Sequence, residues 1–100
     1  MAAQKKLRQL APDEIAGFCQ QLAVITQAGI PAQEGLYVML EDTSDKYSRE
    51  LLQQMIDALE MGEPLSAAVA QCGRFPDYVA DMLQVGEGSG RIDQVLAALA

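Results

Sequence analysis

Val85-Gly86-Glu87-Gly88-Ser89-Gly90-Arg91-Ile92-Asp93-Gln94-Val95-Leu96 alternates three glycines with a carboxylate and a hydroxyl. The fold turns on whether this stretch cradles a phosphate or joins two helices. A phosphate-binding glycine loop follows a buried strand and opens a helix. Here the flanks read differently. Val79, Met82, Leu83 and Val85 precede it, and Ile92, Val95, Leu96 and Leu99 follow it, at helical spacing on both sides. No lysine stands where a P-loop needs one. The stretch is therefore read as a tight corner between two packed helices.

Working outward, the same punctuation recurs. Pro12-Asp13-Glu14 suits a helix start, with proline in the first turn and carboxylates at the positive end of the dipole. Ile15, Phe18, Cys19, Leu22 and Ile25 form one apolar stripe. Gly29 ends it, with Ile30 placed to fold back and Pro31 opening a second helix to about Leu40. Gly35 in that helix costs about 1 kcal/mol against alanine; it either permits a close helix crossing or weakens the hairpin. A third helix from about Ser48 to Gly62 turns Leu51, Leu52, Met55, Ile56 and Leu59 inward and Arg49, Gln53, Asp57 and Glu60 outward. Pro64 to Gly73 makes a short fourth helix around Leu65, Ala68, Val69 and Cys72, and Phe75 plugs the core at the next corner. Pro76 to Val85 makes the fifth, burying Val79, Met82 and Leu83. The last begins near Arg91, with Ser89 as its expected cap and Asp93 in its first turn. The expectation is an all-α fold, a compact antiparallel bundle of about six short helices in residues 12–100, preceded by a flexible tail in 1–11. Gly29, Gly62 and Gly73 are expected to need positive φ, and Gly86 and Gly90 to let two backbones approach.

Composition narrows the chemistry. The chain has no histidine and two widely spaced cysteines, Cys19 and Cys72, both on apolar helix faces. The usual general base and the commonest zinc ligand are missing, and the thiols read as small buried hydrophobes. From residue 9 onward four basic residues face fourteen acidic ones, a net of −10. That surface repels nucleic acid and anionic lipid and suits a basic partner or a divalent cation; acidity that merely keeps a small domain soluble is the plainer alternative. The acidic loop at Asp42 is no EF-hand, because Tyr47 and Gln53 stand where glycine and glutamate are needed. No apolar run is long enough to span a bilayer, and residues 1–8 lead into no signal-peptide core. Glu87 has several uses open to it: accepting backbone N–H bonds at the corner, pairing with Arg91, touching a cation or partner, or acid–base work. It is the weak metal candidate. No catalytic or cofactor-binding residue is assigned. Tyr37, Val38, Tyr47 and Tyr78 fit either partial burial at helix edges or a contact patch.

The glycine corner, Gly86-Glu87-x-Ser89-Gly90-x-Ile92-Asp93-x-Val95-Leu96, resembles the signature of the type II secretion system F domain. Phe18-x-x-Gln21-Leu22-Ala23 with Ala28-Gly29-Ile30-Pro31, Gly62-Glu63-x-Leu65-Ser66-x-Ala68 and Phe75-Pro76-x-Tyr78 resemble its first helix, middle turn and final lead-in, in the right order. The residues just after Pro31 depart from the pattern, being Ala32, Gln33, Glu34 and Gly35 where apolar residues are usual. The resemblance implies a non-catalytic domain on the cytoplasmic face of a bacterial inner membrane. It would belong to the polytopic platform protein of a type II secretion or type IV pilus machine. There it would contact the assembly ATPase and neighbouring components, form a homodimer through helix faces, and bind no nucleic acid. The run from Val95 to Ala100 stops without a cap, which suggests a domain cut from a parent with transmembrane helices. A divalent ion near acidic residues is compatible with the family. The rival reading is a small nucleotide- or metal-binding enzyme built on the Gly86–Gly90 corner; a free cytoplasmic helical scaffold is the third.

Overall fold

The computed structural model describes residues 9–100 as six helices: α1 (Pro12–Gln27), α2 (Ala32–Glu41), α3 (Lys46–Glu60), α4 (Leu65–Cys72), α5 (Asp77–Ser89) and α6 (Ile92–Leu99). Short links force each helix against its neighbour in sequence, and α6 returns to pack along α1. The result is a closed ring in which the glycine-rich stretch forms the last hinge. The core is continuous. Leu22, Leu36, Met55, Ile56, Leu83 and Leu96 are fully buried, one or more from α1, α2, α3, α5 and α6, and Val69 supplies α4. Phe75 is buried as expected and meets Phe18 edge to face, with ring centroids 5.3 Å apart and planes at 61°.

Three helices end in the same device. Ile30, Glu63 and Arg91 donate back to Ile25, Ala58 and Gly86, each across the glycine at positive φ that precedes it (Gly29, Gly62 and Gly90). This pattern satisfies the last carbonyls of a helix while reversing the chain. Gly73 also takes positive φ, so all three glycines expected to do so conform. Gly35 resolves in favour of the close crossing. A Cβ there would lie 2.8 Å from Leu22 Cδ1 and 2.9 Å from Ile25 Cγ2.

The starts of the helices needed other solutions. Proline stands at the N-cap of α2, α4 and α5 and has no side-chain acceptor to offer. For α3 the cap is Asp45, whose carboxylate accepts the Ser48 N–H at 2.8 Å; the helix therefore starts at Lys46, ahead of the expected Ser48. Arg49 is exposed but not idle. It donates to the Leu40 and Thr43 carbonyls, both at 2.8 Å, and so closes the C-terminal end of α2. The Tyr37 hydroxyl donates to the Glu60 carboxylate, pinning α2 to α3, and this acceptor raises the phenol above its usual pKa.

Residues 1–8, most of the expected flexible tail, lie outside the described residues. The part that is described is held down. Gln9 Nε2 donates to Gly73 O at 2.7 Å, Leu10 N donates to Arg74 O at 2.9 Å, and Leu10 packs on the core.

Candidate functional site

The glycine-rich stretch departs from the expected corner in one respect. α5 does not stop at Val85; it runs through Gly86, Glu87 and Gly88 to Ser89. Each glycine has a different setting. Gly86 is buried against α6, where an added Cβ would meet Val95 Cγ2 at 2.8 Å and the Ile92 Cα at 3.2 Å. A Cβ at Gly88 or Gly90 would meet nothing within 4 Å. Gly90 acts by conformation instead, turning the chain at φ +73°. The close approach expected of both Gly86 and Gly90 therefore belongs to Gly86 alone.

Glu87 is partly buried and turned away from the corner. One carboxylate oxygen accepts the Ser66 N–H at 2.8 Å and the other accepts the Ser66 hydroxyl at 2.6 Å. Ser66 is the second residue of α4, one of the positions whose N–H has no partner within its own helix. Pro64, at the N-cap, cannot supply one. A carboxylate from α5 thus caps α4 across 21 residues of sequence, at the end of the helix where the dipole favours an anion. Neither local partner expected for Glu87, the corner N–H groups or Arg91, is the one it uses.

Ser89 is a second correction. Its hydroxyl donates backward to Val85 O at 3.1 Å and Gly86 O at 3.4 Å, within α5, and α6 has Arg91 at its N-cap with no side-chain cap. A serine in the last turn of a helix reaches the carbonyl one turn back more readily than an N–H beyond the bend. Asp93 does occupy the first turn of α6, half-buried, and borders a shallow groove with Gly29 and Pro31 of the α1–α2 link. Ile92 is half-buried on the core.

The rest of α5 divides cleanly. Val79 and Leu83 are buried, but Met82, expected inside, is exposed, as is Val85. Helical spacing alone does not show that α4 and α6 together cover only one side of α5. Tyr37, Val38 and Tyr78 are exposed. Tyr47 is half-buried under the Arg74 guanidinium, 4.8 Å from the ring centroid. Arg74 was not singled out in the sequence. Its Nε and Nη1 are buried without a hydrogen-bond partner among the described residues.

Chemically the groups near the glycines are engaged by the fold. Both cysteines are free and buried, and burial pushes the Cys19 thiol up to about 11 and the Cys72 thiol upward as well. Among the described residues, no three of Asp, Glu or Cys converge in a way that could hold a metal ion, and no helix is long and apolar enough to cross a membrane. Of the four basic residues beyond position 9, Arg49 caps α2 and Arg74 covers Tyr47. Lys46 and Arg91 remain as exposed cations on a strongly acidic surface.

Comparison with known proteins places this architecture. The sequence model of the family described as type II secretion system (T2SS), protein F matches residues 18–100. The chain is 29% identical over 93 residues to the type II secretion system protein F of Pseudomonas aeruginosa, covering 93% of this chain and 23% of that protein. It is 33% identical over 84 residues to the protein of the same description from Xanthomonas campestris pv. campestris, covering 83% of this chain and 21% of the relative. It is 30% identical over 87 residues to the type IV pilus assembly protein PilC of Thermus thermophilus, covering 87% and 21%. The chain therefore spans less than a quarter of the length of these relatives. The match covers all but the first residues of α1 and includes the glycine hinge, the Ser66 turn and Phe75, and by it this chain belongs to the type II secretion system protein F family.

Proposed function

We propose that this domain is a docking module, without chemistry of its own, in the platform protein of a type II secretion or type IV pilus machine. It stands on the cytoplasmic face of a bacterial inner membrane, in a parent whose other segments cross that membrane. Its contacts are with the assembly ATPase and neighbouring machine components. The observation that carries this reading is the engagement of Glu87. The one acid set among the glycines is held by two hydrogen bonds to Ser66, in a role that builds the ring. The acidic surface supports a partner with a basic face, since steering between opposite charges speeds encounter and sets orientation. Association of the homodimer is part of the same reading.

Isothermal titration of the purified domain with the assembly ATPase of the same machine tests the proposal. Saturable binding that weakens as salt is raised is expected; no binding at any salt concentration would refute the ATPase contact. Equilibrium dialysis against ATP and magnesium addresses the rival enzyme, which predicts tight uptake by the isolated domain. The reading frame beyond codon 100 addresses the free scaffold: an apolar run of about 20 residues supports the platform parent.

A further inference from the structure

A groove of about 260 Å³ runs along α1 from Leu10 past Gly17 to Gln21, walled on its far side by the end of α2 and the start of α3. Its floor is apolar, made by Phe18, Met39, Leu51 and Leu52. Its rim is acidic. Glu14 stands on the α1 side. Thr43 borders the other side, in a stretch that carries Glu41, Asp42 and Asp45 within five residues. Lys46 and Arg49 are the cations nearest in sequence, and Arg49 is turned to the Leu40 and Thr43 carbonyls. Glu41 and Asp42 also lie at the C-terminal end of α2, where the dipole favours a cation, and the last turn of α2 has no basic residue. Gly17 is a second, separate observation. It stands exposed in the middle of α1, where glycine is less favourable than alanine, yet a Cβ there would meet nothing within 4 Å. The bare backbone it leaves opens onto this groove. At Gly35 and Gly86 the same lack of a side chain lets another helix approach closely.

We infer that this groove receives residues 1–8 of the same chain, Met1-Ala2-Ala3-Gln4-Lys5-Lys6-Leu7-Arg8. Charge selects the occupant. Three of the chain's seven basic residues fall in these eight, with no acid among them, and they complement the acidic rim. Position selects it as well. Gln9 and Leu10 are pinned to Gly73 O and Arg74 O, and Leu10 itself borders the groove. A segment tethered at the mouth reaches the groove at an effective concentration of roughly millimolar, so weak contacts suffice to seat it. Reach agrees with both. Leu7 is three residues before Leu10, a span of at most about 10 Å when extended. Gly17 is seven residues beyond Leu10, about 10 Å along a helix. Leu7 therefore arrives at Gly17 with the apolar floor beneath it, and the cations on either side of it reach the rim. The groove bordered by Gln9 between α4 and α5 fits less well. Its Asp77 lies in the first turn of α5, where the dipole disfavours a cation. The inference extends the docking role proposed above without depending on it. A basic partner has to displace this segment to reach the same acids.

Paramagnetic broadening in the full chain tests this. A nitroxide on Gln4→Cys reports where the segment lies, since Cys19 and Cys72 are buried and do not take the label. The amides of Gly17, Thr43 and Ser48 are expected to lose intensity and to regain it as salt is raised, which screens the rim. Lys5→Glu combined with Lys6→Glu is expected to abolish the broadening and to leave the helical circular dichroism unchanged, because the described core begins at Leu10. Gly17→Leu, which fills the groove from within, is expected to abolish it too. A mixture of labelled chain with unlabelled, isotope-enriched chain is expected to show no broadening, which sets the contact within one copy. Full intensity at all three amides in the labelled parent overturns the inference. So does broadening at Asp77 and Asp81 in their place, broadening that survives the Lys5 and Lys6 reversals, or broadening in the mixture. No partner protein is in the sample, so failure here is separate from failure of the proposed machine contact.

Discussion

Gly86→Ala and Gly88→Ala are the same substitution two residues apart in one helix, and the structure predicts opposite outcomes. At Gly88 the added methyl meets open space, so the variant gains helix propensity alone, up to about 1 kcal/mol. At Gly86 the same gain is set against a collision. The new Cβ would lie 2.8 Å from Val95 Cγ2 and 3.2 Å from both Val95 Cβ and the Ile92 Cα. Val95 is β-branched and stiff at χ1, and a backbone Cα cannot rotate aside, so α6 must move away from α5. Overpacking of this kind costs about 1–3 kcal/mol, leaving Gly86→Ala about 1–2 kcal/mol less stable at the upper end of that range. In a domain of this size 1 kcal/mol moves the midpoint by roughly 4–8 °C. Thermal melts followed by circular dichroism should therefore place Gly86→Ala about 5–15 °C below the parent and Gly88→Ala several degrees above it. A Gly86→Ala variant as stable as the parent, or a shift of the same sign in both, would refute the account of this joint. Gly86→Val, with two further methyl groups, should lose the α5–α6 packing altogether.

Stability should fall as pH rises from 9 to about 11, because the Cys19 thiol, neutral in the fold, ionises near 9.0 in the unfolded chain and at about 11 in the folded one. The stabilisation is complete below pH 9 and lost through that window; Cys72 acts in the same direction, and urea unfolding of Cys19→Ala should show a shallower fall. Arg49→Ala should lower stability by about 1 kcal/mol by leaving the Leu40 and Thr43 carbonyls to water, with hydrogen exchange accelerated in the last turn of α2 first; unchanged exchange there would show that the cap is idle.

The helix boundaries were readable because their causes are local. A glycine at positive φ followed by an apolar residue and a proline writes the end of one helix and the start of the next within five residues, as at Gly29-Ile30-Pro31. The same local rule misplaced the end of α5. Three glycines in five residues suggested a break at Val85, yet Gly86 is helical because α6 presses against it and Gly88 is tolerated near the end. Only Gly90 turns the chain. What could not be read were partners distant in sequence. Arg49 faces outward by periodicity but finds carbonyls nine and six residues back. Glu87 offered nearby N–H groups and Arg91, but its actual partner is Ser66, 21 residues away. One signal was present: Pro64 leaves α4 without a cap, so some acceptor had to come from elsewhere. Met82 was misplaced because apolar spacing does not reveal how many neighbours a helix has.

The central claim is that Glu87 builds the fold by capping α4, so that the glycine-rich stretch is a joint. A double-mutant cycle of Ser66→Ala and Glu87→Ala by urea unfolding tests it most directly. The structure predicts that Glu87→Ala alone destabilises the domain and that the two changes are coupled by about 1–2 kcal/mol, since each removes a bond the other needs. Strictly additive effects, or a Glu87→Ala variant as stable as the parent, would contradict it.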